Sequence, residues 1–259
     1  MALAIVLGSA IPIYLLIKQA ITPERESFAW PPEWLPHRLV ASHLDAVFAL
    51  PTLRSAILLS LLVAIVCAIL ATALGAMLGY AMARSAAGRA AGFGALTGAR
   101  LLPMIAVAIP LAIELGHVGL YNTPTGFGLA LVHSALALPM AALMVYPAFV
   151  ALPREIEEAA WLDGASPLRI FLMIDVPQAR GAMVGAFILS FILSWDEFGY
   201  ALLIQVTHRT LPPLLYYYMV FGAVGPASAL ALLMMVPALC VVIALGPMIR
   251  GALMSGGLR

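Results

Sequence analysis

Three stretches of this chain run as far as a bilayer crossing or further without one Asp, Glu, Lys or Arg: Ser55 to Ala83, Gly116 to Pro153 and Thr210 to Ile249. A helix crossing hydrocarbon takes about 20 predominantly apolar residues. Each stretch meets that length, and the last exceeds what one helix needs. Composition points the same way, with 64% hydrophobic and 10% charged residues, where a soluble domain carries about 45–50% and about 25%. The balance excludes an ordinary soluble domain, and also a disordered chain, which needs low hydrophobicity and high net charge. A formal net charge of +1 offers no surface for a polyanion, so nucleic acid is not an expected partner. Cys67 and Cys240 lie inside apolar runs, are too few for a disulfide framework or a zinc site, and are both expected to be buried packing residues. No metal site is expected.

These runs predict an all-α membrane protein with six transmembrane helices, near 1–18, 55–83, 101–118, 127–151, 181–204 and 227–249. In a five-helix alternative 101–118 is re-entrant, because Pro103, Pro110 and Glu114 weaken it. Met1 to Ile17 reads as a span rather than a cleaved signal, since the first lysine, Lys18, follows the apolar run where a signal has a basic head before it. Lys and Arg are retained on the cytoplasmic side. With the amino terminus inside, Arg84, Arg89, Arg100, Arg154, Arg169, Arg180, Arg250 and Arg259 face the cytoplasm, and both termini lie there. The expected organisation is a first helix with its outer loop, 1–54, followed by a core domain, 55–259.

Outside the first outer loop, polar character is concentrated in Pro153 to Arg180, a segment punctuated as two short helices. Pro153 suits a first helical position, and Glu155, Glu157 and Glu158 complement the positive end of a helix dipole. Gly164 is a good residue to end that helix; Ser166 caps a second with Pro167 in its first turn, and Pro177 closes it. Ile156, Ala159, Ala160 and Asp163 fall at i, i+3, i+4 and i+7, on one face. Small side chains there admit close approach of another backbone. The alternative is an amphipathic loop packed on its own bundle.

Glu158-Ala159-Ala160, three residues, Gly164, nine residues, Ile174-x-Val176-Pro177 resembles the EAA loop of ABC-importer permeases, departing from it only by Val176 for Leu. The resemblance implies a cytoplasmic coupling helix at 153–177 that inserts into a separate ATPase, with Ile156, Glu158, Ala159, Ala160, Asp163 and Gly164 in the contact. Gly119 to Gly126 resembles the L-x-N-T-x-x-G outer loop of the carbohydrate branch, the one that includes the second membrane subunit of the maltose importer. The tail Arg250 to Arg259 is similar to that branch's ending, which implies an ATPase contact for Gly256 and Gly257. Implied partners are a second homologous permease subunit, two ATPase subunits that bind ATP and magnesium, an extracytoplasmic solute-binding protein and membrane lipid. The implied location is a bacterial or archaeal inner membrane.

Lys18, the only lysine, follows Ile17, so the chain contains no phosphate-binding G-x-x-x-x-G-K-[ST] loop, and no H-E-x-x-H or G-x-S-x-G run occurs. The energy source is expected in another polypeptide, and this chain binds no cofactor of its own. Ionisable groups inside a span face protein or water. Ser190, Ser194, Glu197 and Gln205 form a polar stripe at offsets 0, 4, 7 and 15, with Asp196 beside it, and are candidates for a solute path. Trp195-Asp196-Glu197-Phe198 resembles the family's W-N-E-F run with an extra acid. In the competing reading these acids mark only the water boundary. Glu114 with His117 is a weak candidate proton relay, and His133 is expected to be a hydrogen-bonded packing residue. The competing functions are a polyamine-type permease of the same superfamily and an ion-coupled carrier working alone.

Overall fold

The computed structural model describes the backbone of residues 2–31 and 33–256, and the side chains of residue 8 and of 10–31, 33–104 and 106–244. Among the described residues fourteen α-helices follow one another: α1 (Ala2–Ile21), α2 (Glu24–Ser27), α3 (Ser42–Phe48), α4 (Leu53–Arg84), α5 (Ala86–Arg100), α6 (Met104–His117), α7 (Phe127–Val150), α8 (Arg154–Leu162), α9 (Pro167–Ile170), α10 (Val176–Gln178), α11 (Arg180–Asp196), α12 (Gly199–Ile204), α13 (Leu211–Val220) and α14 (Val224–Gly256). A π-turn, Phe171–Asp175, joins α9 to α10. The described residues contain no strand.

Six spans are too many. Among the described residues, Leu53–Arg84, Phe127–Val150 and Val224–Ala244 are long and apolar enough to cross, with a fourth if Pro167–Gln178 and Arg180–Asp196 count as one bent span. A charge-free run shows where a helix is tolerated in lipid but not where its backbone breaks. The described apolar part of α1 is Ala10–Ile21. Helix α6 has 14 residues, about 21 Å at 1.5 Å per residue, short of a core about 30 Å thick. The expected helix 181–204 is interrupted: α11 stops at Asp196, Glu197 is extended at φ −69° and ψ 123°, and α12 restarts at Gly199.

The chain divides into two compact units, residues 1–60 with 207–240 and residues 61–206 with 241–259. In the first unit, the end of α1 is tied to the outer segment that follows. Lys18 Nζ donates to the Glu33 carbonyl, Tyr14 Oη to that of Trp34, and Thr22 Oγ1 to that of Lys18 at 2.8 Å. The His43 ring on α3 meets the Thr22 carbonyl at 2.9 Å. Ser60 on α4 accepts from the Leu211 amide at 2.8 Å, satisfying a donor in the first turn of α13.

The second unit is built on α4, α7 and α11. Without a hydrophobic driving force between helices in lipid, close packing depends on small side chains. Gly75 and Gly79, a G-x-x-x-G pair on α4, supply them: a Cβ at Gly75 would lie 2.8 Å from that of Ala141 and 2.9 Å from the Ala142 nitrogen, and one at Gly79 would lie 3.0 Å from the Ala142 carbonyl oxygen. Cys67, Ala71, Ala76, Ala137, Ala141, Val145, Phe149 and Ala186 fill the buried layer around this crossing. Cys67 is a packing residue there as expected, but Cys240 on α14 is exposed, because an apolar run does not say which face of its helix meets protein.

Candidate functional site

The polar segment folds into an elbow. Helix α8 starts after Pro153, which precedes the first helical residue rather than occupying it, and Glu155 and Glu157 stand in the first turn. The helix stops because Gly164 adopts φ +81°, a left-handed conformation that glycine reaches without a Cβ clash. The Gly164 amide donates to the Trp161 carbonyl at 2.9 Å and the Ala165 amide to that of Ala160 at 3.0 Å, the paired bonds of a Schellman stop. Ser166 then caps α9, its hydroxyl accepting from the Arg169 amide at 3.4 Å, with Pro167 in the first turn.

Pro177 does not close the second helix. It sits in the first turn of α10, just past the π-turn. Proline removes a donor and crowds the carbonyl four residues back, and the wider turn of a π segment leaves space for that crowding. The chain bends by 81° between Pro167–Gln178 and Arg180–Asp196.

One side of the elbow is bare. Ile156, Glu158, Ala159, Asp163 and Gly164 are exposed and Ala160 is half-buried. Around them Trp161 is 62% exposed, Leu162 90%, Leu168 64% and Met173 72%. Helix α8 therefore presents most of its expected contact residues outward, inside an apolar surface unpartnered in this chain. Gly256 ends α14; Gly257 lies outside the described residues.

The inner side of α8 carries residues that sequence reasoning did not single out. Arg84, the last residue of α4, donates from Nε to Glu157 Oε1 at 2.6 Å, and its Nη2 forms an ion pair with the same oxygen. Arg84 Nη1 donates to the Phe149 carbonyl at the end of α7, 2.8 Å away. Tyr80 Oη reaches Glu157 Oε2 at 3.3 Å, and the Arg84 guanidinium lies 5.4 Å from the Tyr80 ring centroid. Asp175, 1% exposed, is near enough to Glu157 and Arg84 to interact with their charges. The Tyr80, Phe149 and Phe171 rings pack against one another beneath this cluster. A cavity of about 190 Å³ beside it is lined by Tyr80, Arg84, Arg154, Glu157, Glu158 and Trp161. The sequence signal for Arg84 was its place at the end of a 29-residue charge-free run; nothing local pointed it at Glu157.

The residues proposed for a solute path separate into three situations. Ser194 and Glu197 are held by His133 on α7: Nδ1 is 2.8 Å from Ser194 Oγ and Nε2 is 3.0 Å from Glu197 Oε2. Glu197 also accepts from the Tyr200 and Ala201 amides at 2.9 and 3.1 Å, capping the start of α12. His133 is 1% exposed, a hydrogen-bonded packing residue as expected. Ser190 and Gln205 are buried; Gln205 Nε2 donates to the Thr123 carbonyl at 2.8 Å, while Ser190 Oγ has no hydrogen-bond partner. Asp196 alone among them is exposed. The break at Glu197 means that these side chains do not form one continuous helical stripe. Glu114 and His117, 3.6 Å apart, are both largely exposed at the end of α6.

An all-α chain with membrane-crossing helices and an amphipathic elbow after one of them has the make-up of a multi-pass membrane protein. Residues 71–248 match the family model described as binding-protein-dependent transport system inner membrane component. The chain belongs to that family, the permease subunits of ABC-type importers in the inner membrane. It is 36% identical over 96 residues to the diacetylchitobiose uptake system permease protein NgcG of Streptomyces coelicolor, a match covering 37% of this chain and 31% of that one. With the sulfoquinovosyl glycerol transport system permease protein SmoH of Agrobacterium fabrum it shares 30% identity over 161 residues, 61% of this chain and 56% of that one. The matches thus span less than two thirds of these relatives. A crystal structure of a bacterial ABC transporter involved in the import of the acidic polysaccharide alginate contains a chain of the same fold, with a TM-score of 0.71 at 17% identity over 95% of this chain and 94% of that one.

Proposed function

We propose that this chain is the non-catalytic membrane subunit of an importer for a carbohydrate or a glycerol-linked sugar derivative, and that the elbow formed by α8 and α9 is its coupling helix. The partners in this reading are a second homologous permease subunit, two ATPase subunits that bind ATP and magnesium, and an extracytoplasmic solute-binding protein. Residues 1–54 form an entry helix with its outer loop, and 55–259 the permease core. The carbohydrate class is supported by the solutes named for NgcG and SmoH.

The single observation that carries the coupling role is the bare face of α8. Ile156, Glu158, Ala159, Asp163 and Gly164, with Trp161 and Leu162, lie exposed on α8. Leaving Leu162 90% exposed forfeits burial worth about 1.5–3 kcal/mol for a side chain of this kind, which contact with another protein would recover. Ala160, Gly256 and Gly257 complete the proposed ATPase contact. Ser190, Ser194, Asp196, Glu197 and Gln205 belong to the solute path in this reading, Asp196 as the group open to solute and the others as its wall.

The test is purification of the chain with its cognate ATPase, partner permease and binding protein, followed by ATP hydrolysis across a panel of sugars and glycerol glycosides. Hydrolysis that rises with one such solute and needs the binding protein is the expected result. A complex that never forms, or that ignores the whole panel, overturns the reading.

A further inference from the structure

Helix α8 is attached to the rest of the chain covalently at its two ends, but a helix hinged at Pro153 and Gly164 is free to swing unless something holds its middle. The Arg84 and Glu157 side chains are only 15% and 14% exposed, and they join three separate elements at one point. Glu157 stands in the first turn of α8, where the helix dipole favours a negative charge, and Arg84 at the last residue of α4, where it favours a positive one. The Phe149 carbonyl, in the last turn of α7, accepts the Leu152 amide at 3.3 Å and takes the third arginine bond on its other lone pair. A guanidinium offers five donors in a fixed fork, so one arginine can hold a carboxylate and a carbonyl in different directions without changing its own conformation.

The direction of the contact matters as much as its strength. Glu157 is turned inward and Ala160 lies half-buried at the edge of the contact face, whereas Glu158, Ala159 and Leu162 face outward. Whatever grips the outer face of α8 leaves the inner bond to Arg84 intact. The aromatic layer of Tyr80, Phe149 and Phe171 beneath it, with ring centroids 5.1 to 6.1 Å apart, prevents the arginine from folding away. Asp175, buried beside the same pair, extends the polar cluster to the π-turn that leads into α11.

We propose that the Arg84–Glu157 pair, seated on the Phe149 carbonyl, is the joint through which displacement of α8 moves the ends of α4 and α7. Arg84 and Glu157 are positioning residues for transport, distinct from the residues that contact the ATPase, and the inference rests on the coupling role proposed above for α8. Without the joint, α8 yields to its motor and the membrane helices stay behind. ATP is then hydrolysed with little solute moved.

The experiment uses the whole importer in proteoliposomes, and measures solute uptake per ATP hydrolysed together with retention of the ATPase on the purified permease. Arg84→Glu and Glu157→Arg are each expected to lower uptake per ATP at least fivefold with the ATPase retained, and the double exchange to recover at least half of the loss. Glu157→Gln, which keeps the side-chain shape, is expected to lose two- to fivefold and to leave the thermal midpoint of the complex within a few degrees of the parent. Unchanged uptake per ATP in Glu157→Gln, no recovery in the double exchange, or loss of the ATPase from the variants each overturns the joint. The last result makes the pair a docking determinant and leaves the coupling role of α8 standing. Failure of the parent importer to retain any ATPase removes that role itself.

Discussion

His133 shows how a single polar side chain can decide the state of two others. Its ring bridges Ser194 and Glu197 across α7 and the break after α11, so both are satisfied inside the protein. Truncating it strands the buried Ser194 hydroxyl and takes one partner from a carboxylate that keeps the Tyr200 and Ala201 amides. Leaving one buried group without its partner costs about 1–3 kcal/mol. His133→Ala is expected to lower stability by about that amount, or somewhat more, read as a drop in thermal midpoint of the detergent-solubilised protein. His133→Gln, which reaches part of the same distance, should lose less. Equal midpoints for parent and His133→Ala would remove the bridge as a stabilising contact. The residue itself was legible in the sequence as a packing histidine, but its partners were not: Ser194 and Glu197 lie 61 and 64 positions away, and helical periodicity carries no information at that range.

Element by element, local chemistry was legible and long-range geometry was not. Gly164, Ser166 and Pro167 placed the stop of α8 and the start of α9 because capping is settled within four or five residues. Pro177 misled for the opposite reason, since a π-turn upstream relaxes the clash that normally ends a helix. The interruption at Glu197 was read as polar residues within one helix, because acids side by side also suit a continuous helix that faces water. Gly75 and Gly79 carry a signal that charge patterning does not register. Four residues apart on one face, they bring α4 onto the backbone of α7. A larger side chain at Gly79 meets the Ala142 carbonyl, backbone that cannot rotate away. Gly79→Leu should therefore cost about 1–3 kcal/mol or more by overpacking, with a lowered thermal midpoint and increased protease cleavage. Normal stability in that variant would show that the crossing adjusts.

For the whole molecule, membrane residence was legible in the charge-free runs, and the family in fewer than thirty residues of the elbow. The number of crossings was not, because it depends on where helices bend. Sidedness rests on Arg84, Arg89 and Arg100 with no acid between them, which assigns the nearby end of α4, and the elbow bonded to it, to the cytoplasm. With exposed Cys240 replaced by serine and the chain produced without its ATPase, Leu162→Cys is expected to react with a membrane-impermeant maleimide in inverted vesicles and to stay protected in intact cells. Labelling from outside intact cells would reverse the orientation and with it the ATPase contact.

Helix α4 has 32 residues, about 48 Å of unbroken rod, half as long again as the hydrocarbon it crosses. It serves as a ruler. Its surplus length delivers Arg84 beyond the oily layer while Gly75 and Gly79 remain at the crossing with α7, so the reach of the arginine is set by residue count between those marks. Removing three or four residues there would retract the guanidinium by about one helical turn, roughly 5 Å, and leave Glu157 with nothing to hold.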